Sequence, residues 1–235
     1  MTSIYALKAS LLIEGNPERA AHAKKYFKTG KGEYAEGDIF VGLTNPQVQA
    51  WAKKHYRSIN LDTIQEFLKD EIHEVRFAAL LVMIEQFKKG DELIKSELIN
   101  CYLNNVATIN NWDLVDCSAY KLLGEWLLDK DRSVLYELAQ TSHLWSQRIG
   151  IITTLAFIRQ KQYSDTLRLA EILITHPHDL MHKACGWMLR EVGKRDELVL
   201  EEFLDEHLSK MPRTMLRYAI ERFPEVKRLS YLKKS

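Results

Sequence analysis

The chain has 235 residues, 46% of them hydrophobic and 28% charged, with 33 Lys/Arg against 32 Asp/Glu and a formal net charge of +1. Those proportions describe a soluble protein with one domain, compact or solenoidal, over residues 1–235. They exclude several classes: no apolar run reaches the length of a membrane span, and Met1–Gly15 lacks the basic start and cleavage site of a secretory signal. Cys101, Cys117 and Cys185 are widely spaced without a C-x-x-C pair, so neither a disulfide framework nor a zinc cluster is expected; they read as small core residues. The expected setting is cytoplasmic.

Helical periodicity runs through almost the whole chain, and alternating β segments are missing. Helices are predicted over 3–14, 17–28, 46–58, 61–69, 73–89, 91–104, 112–128, 131–140, 143–160, 163–174, 178–193, 196–210 and 212–222. Pro17, Pro46 and Pro212 suit first helical positions, and Gly90 and Gly193 suit helix stops. Thr29–Leu43, with Gly30, Gly32, Gly37 and Gly42, is the one long irregular stretch, a connection or a functional loop.

Charge is unevenly spread. Residues 1–60 carry nine Lys/Arg against five Asp/Glu, 61–175 twelve against seventeen, and 176–235 twelve against ten. A balanced total therefore still permits a basic surface, since local field attracts a polyanion.

A repeat emerges when the second helix of each pair is aligned. Arg76-Phe-Ala-Ala, Asp116-Cys-Ser-Ala, Arg148-Ile-Gly-Ile, Lys183-Ala-Cys-Gly and Arg217-Tyr-Ala-Ile start 40, 32, 35 and 34 positions apart. Such spacing suits stacked helical hairpins of the HEAT or armadillo kind, so the expected fold is an all-α solenoid. Equivalent positions would line its concave surface, giving a row of four cations broken by Asp116. A phosphate track and an ion-pair ladder both fit that row.

Asp116 sits in the stretch Asn110–Tyr120. With Asn111 as cap, Trp112 and Asp116 share one helix face four residues apart. A carboxylate beside an indole can be a reaction centre or an acidic first turn. Trp145 lies three residues before Arg148 and Trp187 one turn after Lys183, so these indoles are expected to flank the same row; Trp51 and Trp126 read as packing residues.

Four segments then match a known family. Asn111–Asp116, Leu144–Ile149, His178–Gly193 and Pro212–Ala219 resemble the AlkD-like DNA alkylation repair glycosylases, in order over nearly the full length. The resemblance implies a right-handed HEAT-like solenoid with a concave DNA-binding groove, acting as a monomer on double-stranded DNA that contains N3- or N7-alkylated purines. It implies cleavage of the glycosidic bond without base flipping, metal or cofactor. Asp116 falls at the catalytic carboxylate, and Trp112 and Trp187 at the tryptophans that hold the lesion-bearing nucleotide. Arg148 matches an arginine at the DNA backbone and Tyr26 an N-terminal aromatic near the lesion, with Lys183, Arg190, Arg217 and Arg76 as further DNA contacts. The sequence departs from the family in its low net charge and in the absence of a basic residue from Val41–Asn45, before Pro46.

His178-Asp-Leu-Met-His182 imitates a zinc-protease spacing, but it lacks the glutamate base and a third ligand, and His178 reads better as a helix start. Two rival functions use the same fold: a catalytically silent binder of damaged or branched DNA, and a protein-interaction scaffold. Retention of Trp112, Asp116, Arg148 and Trp187 together argues against the first, and the cationic row against the second.

Overall fold

The structure, a computed structural model, describes residues 3–234, and side chains within 3–233. The described residues gather into two compact units, Met1–Ser118 and Ala119–Ser235. Both are all-α. The β pairing among the described residues is a single parallel bridge between Ile39 and Ile72. No described helix is long and apolar enough to cross a membrane.

The first unit contains α1 (Ile4–Leu12), α2 (Pro17–Tyr26), α3 (Asn45–His55), α4 (Leu61–Leu68), α5 (His73–Lys89), α6 (Glu92–Asn104) and α7 (Trp112–Ser118). Its centre is α5, buried at every position from His73 to Ile84 because α3, α4, α6 and α7 pack around it. Each start has a local cause. Asn16 caps α2 ahead of Pro17, and Thr44 and Gln47 form a reciprocal capping box on α3, which places Pro46 one position inside the helix. Trp51 is buried, with Nε1 donating to Ser10 Oγ at 2.9 Å, which ties α3 to α1. Gly90 ends α5 as expected.

The second unit contains α8 (Ser133–Gln140), α9 (Leu144–Thr153), α10 (Leu155–Arg159), α11 (Ser164–Ile172), α12 (Asp179–Gly193), α13 (Glu197–His207), α14 (Arg213–Ala219) and α15 (Glu225–Lys234). Here α12 is central, packed by α9, α10, α11, α13 and α14. The small residues of the repeat explain themselves at Gly186. A Cβ there would lie 2.5 Å from Tyr218 Cβ and 2.6 Å from the Met215 carbonyl oxygen, so only a bare backbone lets α12 and α14 approach this closely. Gly193 is the last residue of α12 rather than a residue beyond it.

Three predicted helices are interrupted. The 112–128 stretch leaves α geometry after Ser118 and makes a π turn over Tyr120–Gly124, closed by the Gly124 amide on the Ala119 carbonyl at 3.0 Å. The 143–160 stretch breaks at Thr154, whose Oγ1 donates back to the Ile151 carbonyl at 2.7 Å. The 196–210 stretch tightens into a 3-10 turn at Leu208–Lys210. A further helix, α15, follows the predicted end at 222; it is mostly polar and carries a weak apolar pattern.

Candidate functional site

In the first unit the side chains gather around Trp112, the opening residue of α7. The Asn111 side chain accepts the Trp112 amide at 2.8 Å and its carbonyl accepts the Val115 amide at 3.2 Å, so the expected Asn111 cap is present. Trp112 and Asp116 stand four residues apart on one face of α7, both half-buried. The Tyr26 ring meets the Trp112 indole edge-on, with centroids 5.9 Å apart, and is 58% exposed, so it is available to a ligand. Phe27 stacks on the same indole at 5.3 Å and 23°, and its ring lies edge-on to that of Tyr26 at 5.0 Å, so the three rings form one cluster. The indole N–H donates to the Tyr34 hydroxyl; burial raises that phenol above its ordinary pKa, against the lowering effect of the indole bond. Lys24, Lys25, Lys28 and Lys31 are exposed on either side of Tyr26.

Beneath these rings lies a buried ion network. His73, at the start of α5, reaches Asp113 Oδ2 with Nε2 at 2.8 Å and Asp38 Oδ2 with Nδ1 at 3.4 Å. Arg76 donates to Asp38 Oδ1 at 2.7 Å and to the Asp70 carbonyl at 2.8 Å. Asn110 and Asn111 add side-chain amides to Asp38 at 3.3 and 3.4 Å. Burial alone would lower the His73 pKa; the carboxylates of Asp113 and Asp38 outweigh both it and Arg76, and hold the ring at about 9. Burial likewise pushes the Asp38 carboxyl up, but His73, Arg76 and Asn111 hold it below its ordinary value. Phe40 stacks on the His73 ring at 4.4 Å and Phe27 lies 5.3 Å from it.

Arg76 therefore departs from its expected place at a phosphate. It is 4% exposed, with its guanidinium directed into the protein at Asp38 and the Asp70 carbonyl. The sequence could not reveal this, because Asp38 is 38 residues away.

In the second unit, Arg148 on α9 is also buried, and donates to the Leu180 carbonyl at the start of α12 at 2.5 Å. Lys183 pairs with Asp179 at 2.7 Å along α12. Trp187 follows Lys183 by four residues and is half-buried. Arg190 pairs with Glu221, while Arg217 on α14 is exposed. Trp145, expected to flank the row of cations, is 5% exposed and belongs to the core. The histidine pair of α12 works in capping: His178 Nδ1 accepts the Leu180 amide at 3.1 Å, and His182 Nε2 contacts the His176 carbonyl at 2.5 Å.

Thus the first unit brings Tyr26, Trp112 and Asp116 to one neighbourhood, and the second sets Lys183, Trp187 and Arg190 along α12. Sequence reasoning missed Phe27, Tyr34, Asp38, His73 and Asp113. The available signal was faint: a His-Glu pair and Arg76 in the first turn of α5, ahead of its apolar run from Phe77 to Ile84, and acidic Asp113 immediately after Trp112. A cleft of about 340 Å³ in the first unit, lined by Tyr56, Gln86, Lys89 and Ile94 among others, shares no residue with this cluster.

The chain is similar to proteins of DNA repair. A family model described as DNA alkylation repair enzyme matches residues 7–223. Among solved structures, a predicted DNA alkylation repair enzyme from Enterococcus faecalis superposes with a TM-score of 0.71 at 18% identity, covering 90% of this chain and 97% of that one. No curated protein matches the sequence at a significant level. The likeness in structure establishes a shared helical-repeat fold, and with the family model spanning both units, the chain belongs to the DNA alkylation repair enzyme family.

Proposed function

We propose that the protein is a DNA glycosylase that releases N3- and N7-alkylated purines from duplex DNA, with Asp116 as the electrostatic catalyst. The observation that carries this reading is the position of Asp116 one helical turn from Trp112, whose indole meets the exposed Tyr26 ring. Family membership supplies the substrate class, alkylated DNA.

The chemistry asks little of the protein. An alkyl group on N3 or N7 makes the purine cationic, so when the C1′–N9 bond breaks the electron pair returns to N9 and the base leaves neutral. No general acid is needed. What remains is an oxocarbenium-like sugar, which a fixed carboxylate stabilises and which water attacks at C1′, losing its proton to solvent. The faces of Trp112 and Tyr26 favour a cationic sugar and base through cation–π contact. The resemblance to AlkD-like glycosylases assigns Trp187 to the lesion-bearing nucleotide as well. The exposed Lys24, Lys25, Lys28 and Lys31, with Arg217, offer charge to phosphates. Lys183 and Arg190 contribute once their carboxylate partners yield, and Arg148 acts through the start of α12, which it holds.

One observation favours a second reading. Two of the expected cations are buried, and Lys183 and Arg190 are paired with carboxylates, which suits a family member that binds DNA weakly and performs no excision. Release of 7-methylguanine and 3-methyladenine from methylated duplex, under single-turnover conditions, separates the two. Excision by wild type that collapses in a folded Asp116→Asn variant supports the glycosylase. Equal excision by both removes Asp116 from the mechanism, and DNA binding without excision supports the silent binder.

A further inference from the structure

The residues that fix Trp112 come largely from the irregular stretch 29–43, together with the end of α2. Trp112 is the first residue of a seven-residue helix, a position where helical hydrogen bonds alone do not hold a side chain. The phenol of Tyr34 takes the indole N–H, and Phe27 covers one indole face. A loop containing four glycines could not hold a phenol steady by itself.

Two anchors remove that freedom. The buried Glu74 carboxylate accepts three successive amides, from Val41 at 3.1 Å, Gly42 at 2.8 Å and Leu43 at 3.3 Å. Gly42 makes the bend possible: its φ is +81°, and a Cβ there would sit 2.1 Å from the Asn16 carbonyl oxygen. Asp38 is the second anchor, held by His73, Arg76, Asn110 and Asn111. The His73 amide also donates to the Ile39 carbonyl at 2.8 Å, which stitches the loop to the start of α5.

The network joins both sides of Trp112. Through Asp38 His73 holds the loop that carries Tyr34; through Asp113 it holds the residue next to the indole itself. Its rings lead the same way, from His73 to Phe27 and from Phe27 to Trp112. The charged groups around His73 are Asp38, Asp113 and Arg76, with Arg19 and Glu74 on the wall of a cavity of about 70 Å³ that His73 also lines. With the imidazole protonated, two cations face two carboxylates, the condition under which such burial is tolerable.

We propose that the 29–43 loop is a positioning device for Trp112, in which Tyr34 holds the indole N–H and the Asp38–His73–Asp113 bridge fixes the loop against the first turn of α7. Its catalytic consequence rests on the glycosylase reading; its structural core does not. The residues are positioning residues, since none is argued to touch the reacting atoms.

The test reads Trp112 directly. In the full chain labelled with ¹⁵N-tryptophan, the Trp112 Nε1–H resonance is assigned by its disappearance in Trp112→Phe. Tyr34→Phe is expected to shift that resonance and to speed its exchange with water by about tenfold, leaving the other indoles unmoved. Asp38→Asn is expected to broaden it. In parallel, single-turnover excision by Tyr34→Phe is expected to fall about tenfold with duplex affinity unchanged. An unaltered Trp112 resonance and exchange rate in folded Tyr34→Phe would overturn the proposal, and this variant decides the matter if Asp38→Asn does not fold. A wild type without excision whose Trp112 resonance responds as expected would remove the glycosylase reading and leave the positioning device standing.

Discussion

Replacing His73 with glutamine removes a buried cation from between Asp38 and Asp113 while keeping a polar side chain of similar reach. In the folded protein the imidazole protonates with a pKa of about 9, against 6.5 for an ordinary histidine. That difference corresponds to about 3 kcal/mol of folding stability. Because the folded value is the raised one, the contribution is fully present below pH 6.5 and disappears as pH rises through about 9. Urea unfolding of wild type and His73→Gln at about pH 6 and about pH 9.5 measures it, the stability gap between them narrowing by about 3 kcal/mol over that interval. The comparison isolates His73, since the other histidines titrate in both proteins. His55, His143, His176 and His178 are shifted the opposite way, mainly by burial, and their effect cancels in the difference. A gap that stays constant across this range would refute the reasoning even if glutamine were destabilising, because it would mean that His73 folds uncharged.

At the contact of α12 with α14, Gly186→Ala is expected to cost about 1–3 kcal/mol and lower the thermal midpoint by about 5 °C, through the clash with Tyr218 and the Met215 carbonyl; an unchanged midpoint would count against that close approach. Arg217→Ala is expected to lower the slope of log affinity for duplex DNA against log salt by about one, whereas Arg76→Met should leave that slope alone and reduce folding stability by about 3 kcal/mol; a changed slope in folded Arg76→Met would put its charge back at the DNA.

Much of this fold is legible in the sequence because helices are local. Periodicity places the cores of α3, α5 and α12 within a few residues, and Asn16-Pro17 places the start of α2. The interruptions are less legible, since the π turn at Tyr120–Gly124 and the break at Thr154 depend on single hydrogen bonds that disturb no hydrophobic pattern. The shared face of Trp112 and Asp116 follows from spacing alone. What surrounds Trp112 does not: Tyr34 and Phe27 belong to distant segments, and nothing local distinguishes Arg76, tied to Asp38, from the exposed Arg217 at the equivalent repeat position. A charged residue in a repeat announces its position; whether its charge faces water is decided by partners far along the chain.

The stitching of the 29–43 loop also sets an order of assembly. The amides of residues 41–43 wait for a carboxylate 31 to 33 residues further on, and Asp38 waits for asparagines 72 and 73 residues further on. During synthesis α1, α2 and the loop emerge before α5 exists, and Trp112 follows α5 by the length of α6 and a short turn. Contacts of such long separation carry the loop-closure cost of the intervening chain, so the surroundings of Trp112 depend on α2, α5 and α7 all being in place. Shortening that unit from either end would therefore disturb the same few side chains: trimming α2 removes Tyr26 and the approach to Phe27, and trimming α7 removes Asp113 and the indole they enclose.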